Sequence, residues 1–273
     1  MDLKNLSAEL RNGKYVFGTA MISQSVLWPK ILASLGLDLV FIDTEHTALD
    51  RETVSINANA YKAHGIVPIV RIPSPDPYEA SKVLDGGAMG VIAPYIENAD
   101  QVRQLVGAVK FKPLKGKKLE RYLMGDIDLE DKLSKYLNAL NEKNVLIINI
   151  ESVPALENLD EILSVKGLDG VLVGPHDLSC SLAVPEDYDH PLFMDAIKEI
   201  ISKCKRNKVG VGIHVWDEVG FKKEIEWAKM GANLIMHSND LSIFSGAMAI
   251  DLQNVKKELG LDWDRENSDG VTI

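Results

Sequence analysis

Apolar residues along this chain gather in short, continuous runs separated by longer amphipathic stretches. YVFGTAM (15–21), LDLVFID (37–43), IVPIVRI (66–72) and MGVIAPY (89–95) come first. After a longer gap come NVLIINIE (144–151), DGVLVGP (169–175), VGVGIHV (209–215) and ANLIMHS (232–238). These runs are rich in Val and Ile and do not alternate with polar residues, the pattern of parallel strands buried on both faces. The stretches between them read as helices. DPYEASKVLDGG (76–87) has Asp76 to cap it and Gly86–Gly87 to stop it. ENADQVRQLVGAVK (97–110), HPLFMDAIKEIISKCKRNK (190–208) and DEVGFKKEIEWAKMGA (217–232) carry apolar residues at helical spacing. Glycine at Gly36, Gly87 and Gly231, just before the next strand, permits the left-handed helix end.

Strands alternating with helices in this way predict an α/β fold, a (β/α)8 TIM barrel. The rival is a doubly wound open sheet, which would carry a Gly-rich phosphate turn after its first strand. GTAMISQS (18–25) supplies only Gly18, so that fingerprint is missing. The pattern predicts a single barrel domain over 1–273. Residues 111–143 form an insertion or lid with a helix, and a polar tail starts at about residue 261.

Bulk properties narrow the class. The chain has 273 residues, 46% hydrophobic and 26% charged, within the range of ordinary globular proteins. Its formal net charge of −10 argues against a nucleic-acid partner. No apolar run is long enough to span a membrane and no signal peptide is evident, so a cytoplasmic location is expected. Cys180 and Cys204 form no CxxC or metal spacing and read as free thiols. KFKPLKGKKLER (110–121) is a local basic exception, either a solvated loop or an attractor for an anionic substrate.

The titratable residues sort to one end of the predicted strands, where barrel enzymes place their chemistry. Strand two runs out in Asp43, Glu45 and His46, strand three in Arg71, and strand five in Asn149 and Glu151. Strand six leads into His176, Asp177 and Ser179, strand seven into His214, and strand eight into His237, Ser238 and Asp240. No comparable collection is expected at the opposite ends. Each residue also has a plainer reading: Arg71 as a surface arginine before a turn, Asp177 as a helix cap, His46 as a satisfied core histidine. Buried positions tilt the balance. An arginine after four apolar residues needs anionic partners, and Glu151 at the end of an apolar run is costly unless paired or bound to metal. His214 and His237 read more as pocket wall or core than as bases. Two carboxylates on neighbouring strands, without a thiolate or histidine at the same spacing, fit a hard divalent cation with open positions, Mg2+ or Mn2+ first, with Co2+ and others also compatible.

In this order the motifs IDTEH (42–46), VRIPS (70–74), LDGGAMGVIAPYIENADQ (84–101), NIES (149–152), LDEIL (159–163), DGVLVGPHDLS (169–179) and GANLI (231–235) make the chain resemble the metal-dependent pyruvate aldolases of the HpcH/HpaI type. This is the 4-hydroxy-2-oxoheptanedioate aldolase and citrate lyase β superfamily. The likeness runs from about Gly18 to Asp240 and implies a barrel of the phosphoenolpyruvate/pyruvate-binding type. It implies Glu151 and Asp177 as metal acids, Arg71 at the keto oxygen of pyruvate, His46 as base and Asp85 as its paired aspartate. Backbone amides around His176 and Asp177 would hold the substrate carboxylate. Asn149 stands where the family commonly has Gln. His214 and Trp216 in GIHVWDE (212–218) replace more aliphatic residues and join the implied substrate pocket. A homo-oligomer, a hexamer in the family, is also implied.

The expected reaction is reversible aldol cleavage of a 4-hydroxy-2-oxo acid to pyruvate and an aldehyde through a pyruvate enolate. No lysine ends a strand in this set, which disfavours a Schiff base. The alternatives are a citryl- or malyl-CoA-like lyase or phosphoenolpyruvate-handling enzyme on the same barrel, in which segment 110–121 meets phosphate, and a non-catalytic keto-acid-binding barrel.

Overall fold

A computed structural model describes residues 3–214 and 218–261. The expected tail from about 261 lies almost wholly outside the described residues, as does Trp216. The strands are β1 (Val16–Met21), β2 (Leu39–Asp43), β3 (Val67–Arg71), β4 (Gly90–Ala93), β5 (Val145–Ile150), β6 (Gly170–Val173), β7 (Gly210–Ile213) and β8 (Leu234–Asn239). They form one parallel sheet in the order β7-β6-β5-β4-β3-β2-β1-β8. The ends of that order approach each other. Val211 accepts from the Asn233 amide at 2.9 Å and donates to its side chain at 3.0 Å, so the sheet rolls into a (β/α)8 barrel. Seven of the eight apolar runs contain one strand each, and the eighth (232–238) is exceeded by β8 by one residue, Asn239.

The helices are α1 (Leu6–Arg11), α2 (Trp28–Ala33), α3 (Arg51–Ala63), α4 (Pro77–Asp85), α5 (Ala99–Lys110), α6 (Gly116–Leu123) and α7 (Asp131–Asn141). They continue with α8 (Val153–Glu157), α9 (Leu159–Leu163), α10 (Pro175–Ser181), α11 (Pro191–Asn207), α12 (Glu218–Met230) and α13 (Asp240–Glu258). Asp76 caps α4 as expected, accepting from the Tyr78 amide at 2.7 Å, and α5 opens on a reciprocal Asn98–Gln101 capping box. The expected insertion, residues 111–143, holds α6 and α7. Among the described residues no helix is long and apolar enough to cross a membrane.

Side-chain parity along the strands decides what enters the barrel. Leu39 and Phe41 of β2, Val67 and Ile69 of β3, Val145 and Ile147 of β5, and Leu234 and Met236 of β8 share one inner cluster. The residues of opposite parity, such as Val40, Ile42 and Val70, pack outward with Val54, Ala58 and Tyr61 of α3. Short α1, whose apolar residues are too few to form a run, closes the lower end. Its Leu6 and Leu10 join the inner cluster, and a Cβ added at Gly210 would meet Leu10 at 2.8 Å. A glycine in β7 therefore lets the plug seat.

The lower end also corrects one expectation, because it is polar too. Asp169, fully buried just before β6, accepts from Ser7 Oγ at 2.6 Å and the Leu146 amide at 2.9 Å, and pairs with Arg11 at 2.7 Å and with Lys110. Every partner comes from this chain's own frame, so the cluster ties α1, α5 and two strands together. The basic segment 110–121 starts at this lower end. Lys110, Lys112 and Lys118 are paired with Asp169, Asp85 and Glu130. Placed and neutralised in this way, those three lysines do not face a substrate at the opposite mouth.

Candidate functional site

Extending the inner parity by one step at the upper mouth converts leucine and isoleucine positions into polar ones. After Leu39 and Phe41 comes Asp43, and after Val67 and Ile69 comes Arg71. After Val145 and Ile147 come Asn149 and Glu151, after Gly210 and Gly212 comes His214, and after Leu234 and Met236 comes Ser238. A strand period of two thus carries hydrophobic layers up into a ring of functional groups. β2 and β3 are in register at Asp43↔Arg71, which sets the first pair side by side.

Arg71 is the most constrained member of the ring. Its Nε and Nη2 donate to the two Asp43 oxygens at 2.9 and 2.6 Å, a bidentate fork. Nε also lies 3.1 Å from Glu45 Oε2, and the guanidinium sits 5.1 Å from the centre of the Phe41 ring. Burial alone would raise the Asp43 carboxyl, but the Arg71 fork, the arginine charge and the Glu45 amide outweigh it and hold Asp43 below the usual carboxylate range. On Arg71, the hydrogen bonds and charge of Asp43, with the charges of Glu45 and Glu151, outweigh burial and keep the guanidinium charged.

Glu151 and Asp177 converge from β5 and α10. A Cβ placed on Gly174 would sit 2.8 Å from Glu151 Oε2 and 3.4 Å from Asp177 Oδ2. Only glycine leaves that cradle open between the two acids. Glu151 accepts from the Tyr95 amide at 2.8 Å through Oε1 and from Asn149 Nδ2 at 3.0 Å through Oε2. Burial pushes its carboxyl up. The two hydrogen bonds oppose this, and the charges of Asp177 and Glu45 add to it. The Asn149 amide is spent on Glu151, and its buried carbonyl oxygen has no partner. Among the described residues no three His, Cys, Asp or Glu side chains form a closed metal cage. Two convergent carboxylate oxygens in a negative, partly buried cradle fit a divalent cation that keeps positions for substrate and water.

His46 lies beside this ring with its side chain 54% exposed, Nε2 being 3.7 Å from Glu45 Oε2. The carboxylate that pairs with it inside the chain is therefore Glu45. Asp85 ends α4 at the lower face, 70% exposed and paired with Lys112. The chain does not bring Asp85 to His46, because a helix that follows one strand ends at the foot of the next. His176, on the first turn of α10, is also exposed and turns toward Glu186 at 3.4 Å, and its amide and that of Asp177 belong to the first-turn N–H groups without intrahelical acceptors. His237 has outward parity and pairs with Glu224 of α12 at 3.0 Å, so it belongs to the helix layer. Asp240 binds the β1 loop through the amides of Ile22 and Ser23, at 2.8 and 3.0 Å.

His214 closes the inner wall. It is buried, stands edge-on to Phe41 with ring centroids 5.7 Å apart, and has Nε2 3.1 Å from the Ser238 carbonyl. Burial, helped by the Arg71 charge, lowers its pKa to about 4 against a contrary pull from the Ser238 bond. A folded pKa below the unfolded value means that the unfolded chain binds the proton more tightly between pH 6.5 and about 4. Stability should fall as pH drops through that window, by on the order of 3 kcal/mol at the acid end. Urea unfolding of wild type and His214→Gln between pH 7 and 4.5 checks this, and the variant should lose that share of the pH slope.

Tyr95 was not signalled by the sequence. It follows β4 with φ of 56°, a left-handed backbone uncommon for an aromatic residue. The neighbouring Glu45 carboxylate, with burial and the charges of Glu151 and Asp177, pushes its phenol pKa up to about 12. Side-chain periodicity ends with the strand, so only the backbone turn shows that Tyr95 leans over the mouth.

The comparisons with known proteins point the same way. The family model described as HpcH/HpaI aldolase/citrate lyase matches residues 22–238. A 2-keto-3-deoxy-L-rhamnonate aldolase of Salmonella gallinarum is 30% identical over 239 residues, 88% of each chain. Among solved structures, an HpcH/HpaI aldolase from Desulfitobacterium hafniense DCB-2 superposes with a TM-score of 0.78 at 26% identity, over 92% of this chain and 96% of that one. The citrate synthase SbnG gives a TM-score of 0.76 at 26% identity, over 93% and 98%. The chain belongs to the HpcH/HpaI aldolase/citrate lyase family and is a carbon–carbon lyase.

Proposed function

We propose that this family member is a metal-dependent aldolase that reversibly cleaves a 4-hydroxy-2-oxo acid, of the 3-deoxy-2-keto sugar acid kind, into pyruvate and an aldehyde. The observation that carries the reading is the convergence of Glu151 and Asp177 on the open side of Gly174, at the mouth that also holds Arg71. The 30% identical Salmonella relative, named for 2-keto-3-deoxy-L-rhamnonate, supports the sugar-acid class.

Glu151 and Asp177 would hold the divalent cation, Mg2+ or Mn2+ by their oxygen chemistry. When bound, it supplies Lewis-acid polarisation of a 2-oxo acid. The chain's own groups do the rest. Arg71, held by the Asp43 fork, presents a fixed cation to the oxygen that becomes negative as the C3–C4 bond breaks. His46, beside the Glu45 carboxylate, takes the proton of the C4 hydroxyl, and the bond's electrons pass into the enolate of pyruvate. The amides of His176 and Asp177 face the substrate carboxylate, and the unpartnered Asn149 oxygen is left to accept from a donor in the site. His214 lines the wall as a neutral ring. Asp85 reaches none of these groups within one chain, and no step is assigned to it.

α13 supports an oligomer. Of its residues only Asp240 is buried, while Ile243, Phe244, Met248, Ile250, Leu252 and Val255 are exposed. An exposed helix of this length with apolar residues around more than half of its circumference fits contact with a second copy of the chain. Free Cys180 and Cys204 agree with a reducing cytoplasm.

Pyruvate release from 2-keto-3-deoxy-L-rhamnonate, followed with Mn2+ and with excess EDTA, tests the activity. Arg71→Lys keeps the charge but loses the fork to Asp43, and the rate should fall at least about 100-fold, the scale of removing one oxyanion donor. A loss below about tenfold would make Arg71 a structural residue.

A further inference from the structure

Two cavities open at the lower end of the barrel and share Arg11 as a wall. The one between α1 and α11 has a volume of about 180 Å3. Three of its lining side chains are cations: Arg11 from the end of α1, and Lys205 and Lys208 from the end of α11. Among the described residues no carboxylate lines it, in a chain whose net charge is −10. Neither lysine has an ion-pair partner among the described residues. Arg11 reaches the buried Asp169 through Nη2 at 2.7 Å, which leaves other N–H groups of its guanidinium for the cavity. Lys110 stands on the far side of Asp169. Four cations thus gather around one carboxylate. The polar neighbour Asn233 is spent, donating to the Leu10 and Lys14 carbonyls at 3.0 and 3.1 Å and accepting from the Val211 amide at 3.0 Å. The cavity is therefore walled by cationic donors with nothing to receive them.

Lysines at a helix C-terminus also suit the helix dipole, and that is the plainer reading of Lys205 and Lys208. It does not explain why they converge with Arg11 of another helix on one cavity. Nor does it explain Lys208 itself, which caps α11 with φ of 56°, a left-handed position where glycine is the usual residue. We infer that this floor cavity binds a phosphate group, free or carried by a small metabolite. A phosphate carries close to two negative charges at neutral pH on oxygens that point in several directions, so three cations can reach it at once. Arg11 also offers the planar fork that matches phosphate. A monocarboxylate has one charge and two oxygens in a plane, too few for this set. The volume lies below the roughly 300 Å3 at which pockets for drug-sized ligands begin, which excludes a whole nucleotide. Bound there, phosphate ties the plug helix α1 to the end of α11 and to the starts of β7 and β8. The site lies at the opposite end from Arg71 and Glu151 and does not depend on the aldolase reading.

The test is calorimetric titration of the full chain with inorganic phosphate and with glycerol 3-phosphate, at ionic strength matched with chloride. Wild type is compared with Lys205→Ala/Lys208→Gly, which should stay folded because glycine suits the left-handed cap. A control, Lys117→Ala/Lys132→Ala, removes the same charge from exposed lysines that line neither cavity. Phosphate should bind wild type and the control alike, and Lys205→Ala/Lys208→Gly at least about tenfold more weakly, the scale of one lost charge-assisted contact. Tighter binding of glycerol 3-phosphate than of phosphate makes a phosphorylated metabolite the occupant, and the reverse order makes it the free ion; either order supports the site. Three results overturn the inference: no binding to wild type beyond that of chloride, equal binding in Lys205→Ala/Lys208→Gly, or an equal loss in the control. Phosphate held by Arg71 at the mouth instead would survive the floor substitutions and give the second of these.

Discussion

Glu151→Ala is expected to abolish pyruvate-forming turnover and to leave the barrel folded. Of the two cradle acids, Glu151 is the more deeply placed, on the inner parity of β5 and bonded by Tyr95 and Asn149. Removing it leaves Asp177 alone opposite Gly174, too little to retain a divalent cation. The fold should not suffer, because burial and two neighbouring carboxylates already oppose ionisation of Glu151 in the empty site. A carboxyl whose folded pKa is raised detracts from stability above its unfolded value, which offsets part of the cost of leaving the Tyr95 and Asn149 donors without their acceptor, so the metal-free variant should remain folded at pH 7. Thermal unfolding separates the effects. Mn2+ should raise the wild-type midpoint and leave that of Glu151→Ala unmoved. A variant that unfolds early without metal, or still responds to Mn2+, contradicts the assignment. Asp177→Ala should behave alike in turnover.

The second large effect is expected at His46. His46→Ala should lower aldol cleavage by roughly 10²–10⁴-fold, the usual contribution of a positioned base, with Mn2+ affinity nearly unchanged. The structure supports a base here through position: the imidazole is half-exposed at the mouth, within 3.7 Å of Glu45, and outside the cradle. Cleavage at the wild-type rate in His46→Ala, with metal bound, would remove it from the reaction.

Much of this is legible in the amino-acid sequence. Eight Val- and Ile-rich runs announced the strands because parallel strands buried on both faces cannot hide their composition. The polar residues ending those runs announced the mouth. Asp43, Arg71, Asn149, Glu151 and His214 follow from carrying the inner parity of their strands one step further. What the sequence withheld depends on geometry beyond the strands. His237 has a polar strand-end position like the others, yet its parity turns it to Glu224 in the helix layer. Asp85 carries a family motif, but α4 delivers it to the lower face and Lys112. Asp169 looked like an ordinary residue before a strand, and its cluster with Arg11 and Lys110 needed α1 folded across the barrel floor. Tyr95 was hidden because a left-handed turn after β4, which no residue pattern here signals, carries it over the acids.

The central claim is that Glu151 and Asp177 hold a divalent cation which, with Arg71, turns pyruvate toward its enolate. It is tested most directly by following the pyruvate methyl protons by NMR in deuterated water, since this half-reaction needs no knowledge of the aldehyde. The account predicts exchange with Mg2+ or Mn2+ present, its loss in excess EDTA, and its absence in Glu151→Ala under either condition. Exchange that continues at the wild-type rate in excess EDTA, or in Glu151→Ala, would contradict it.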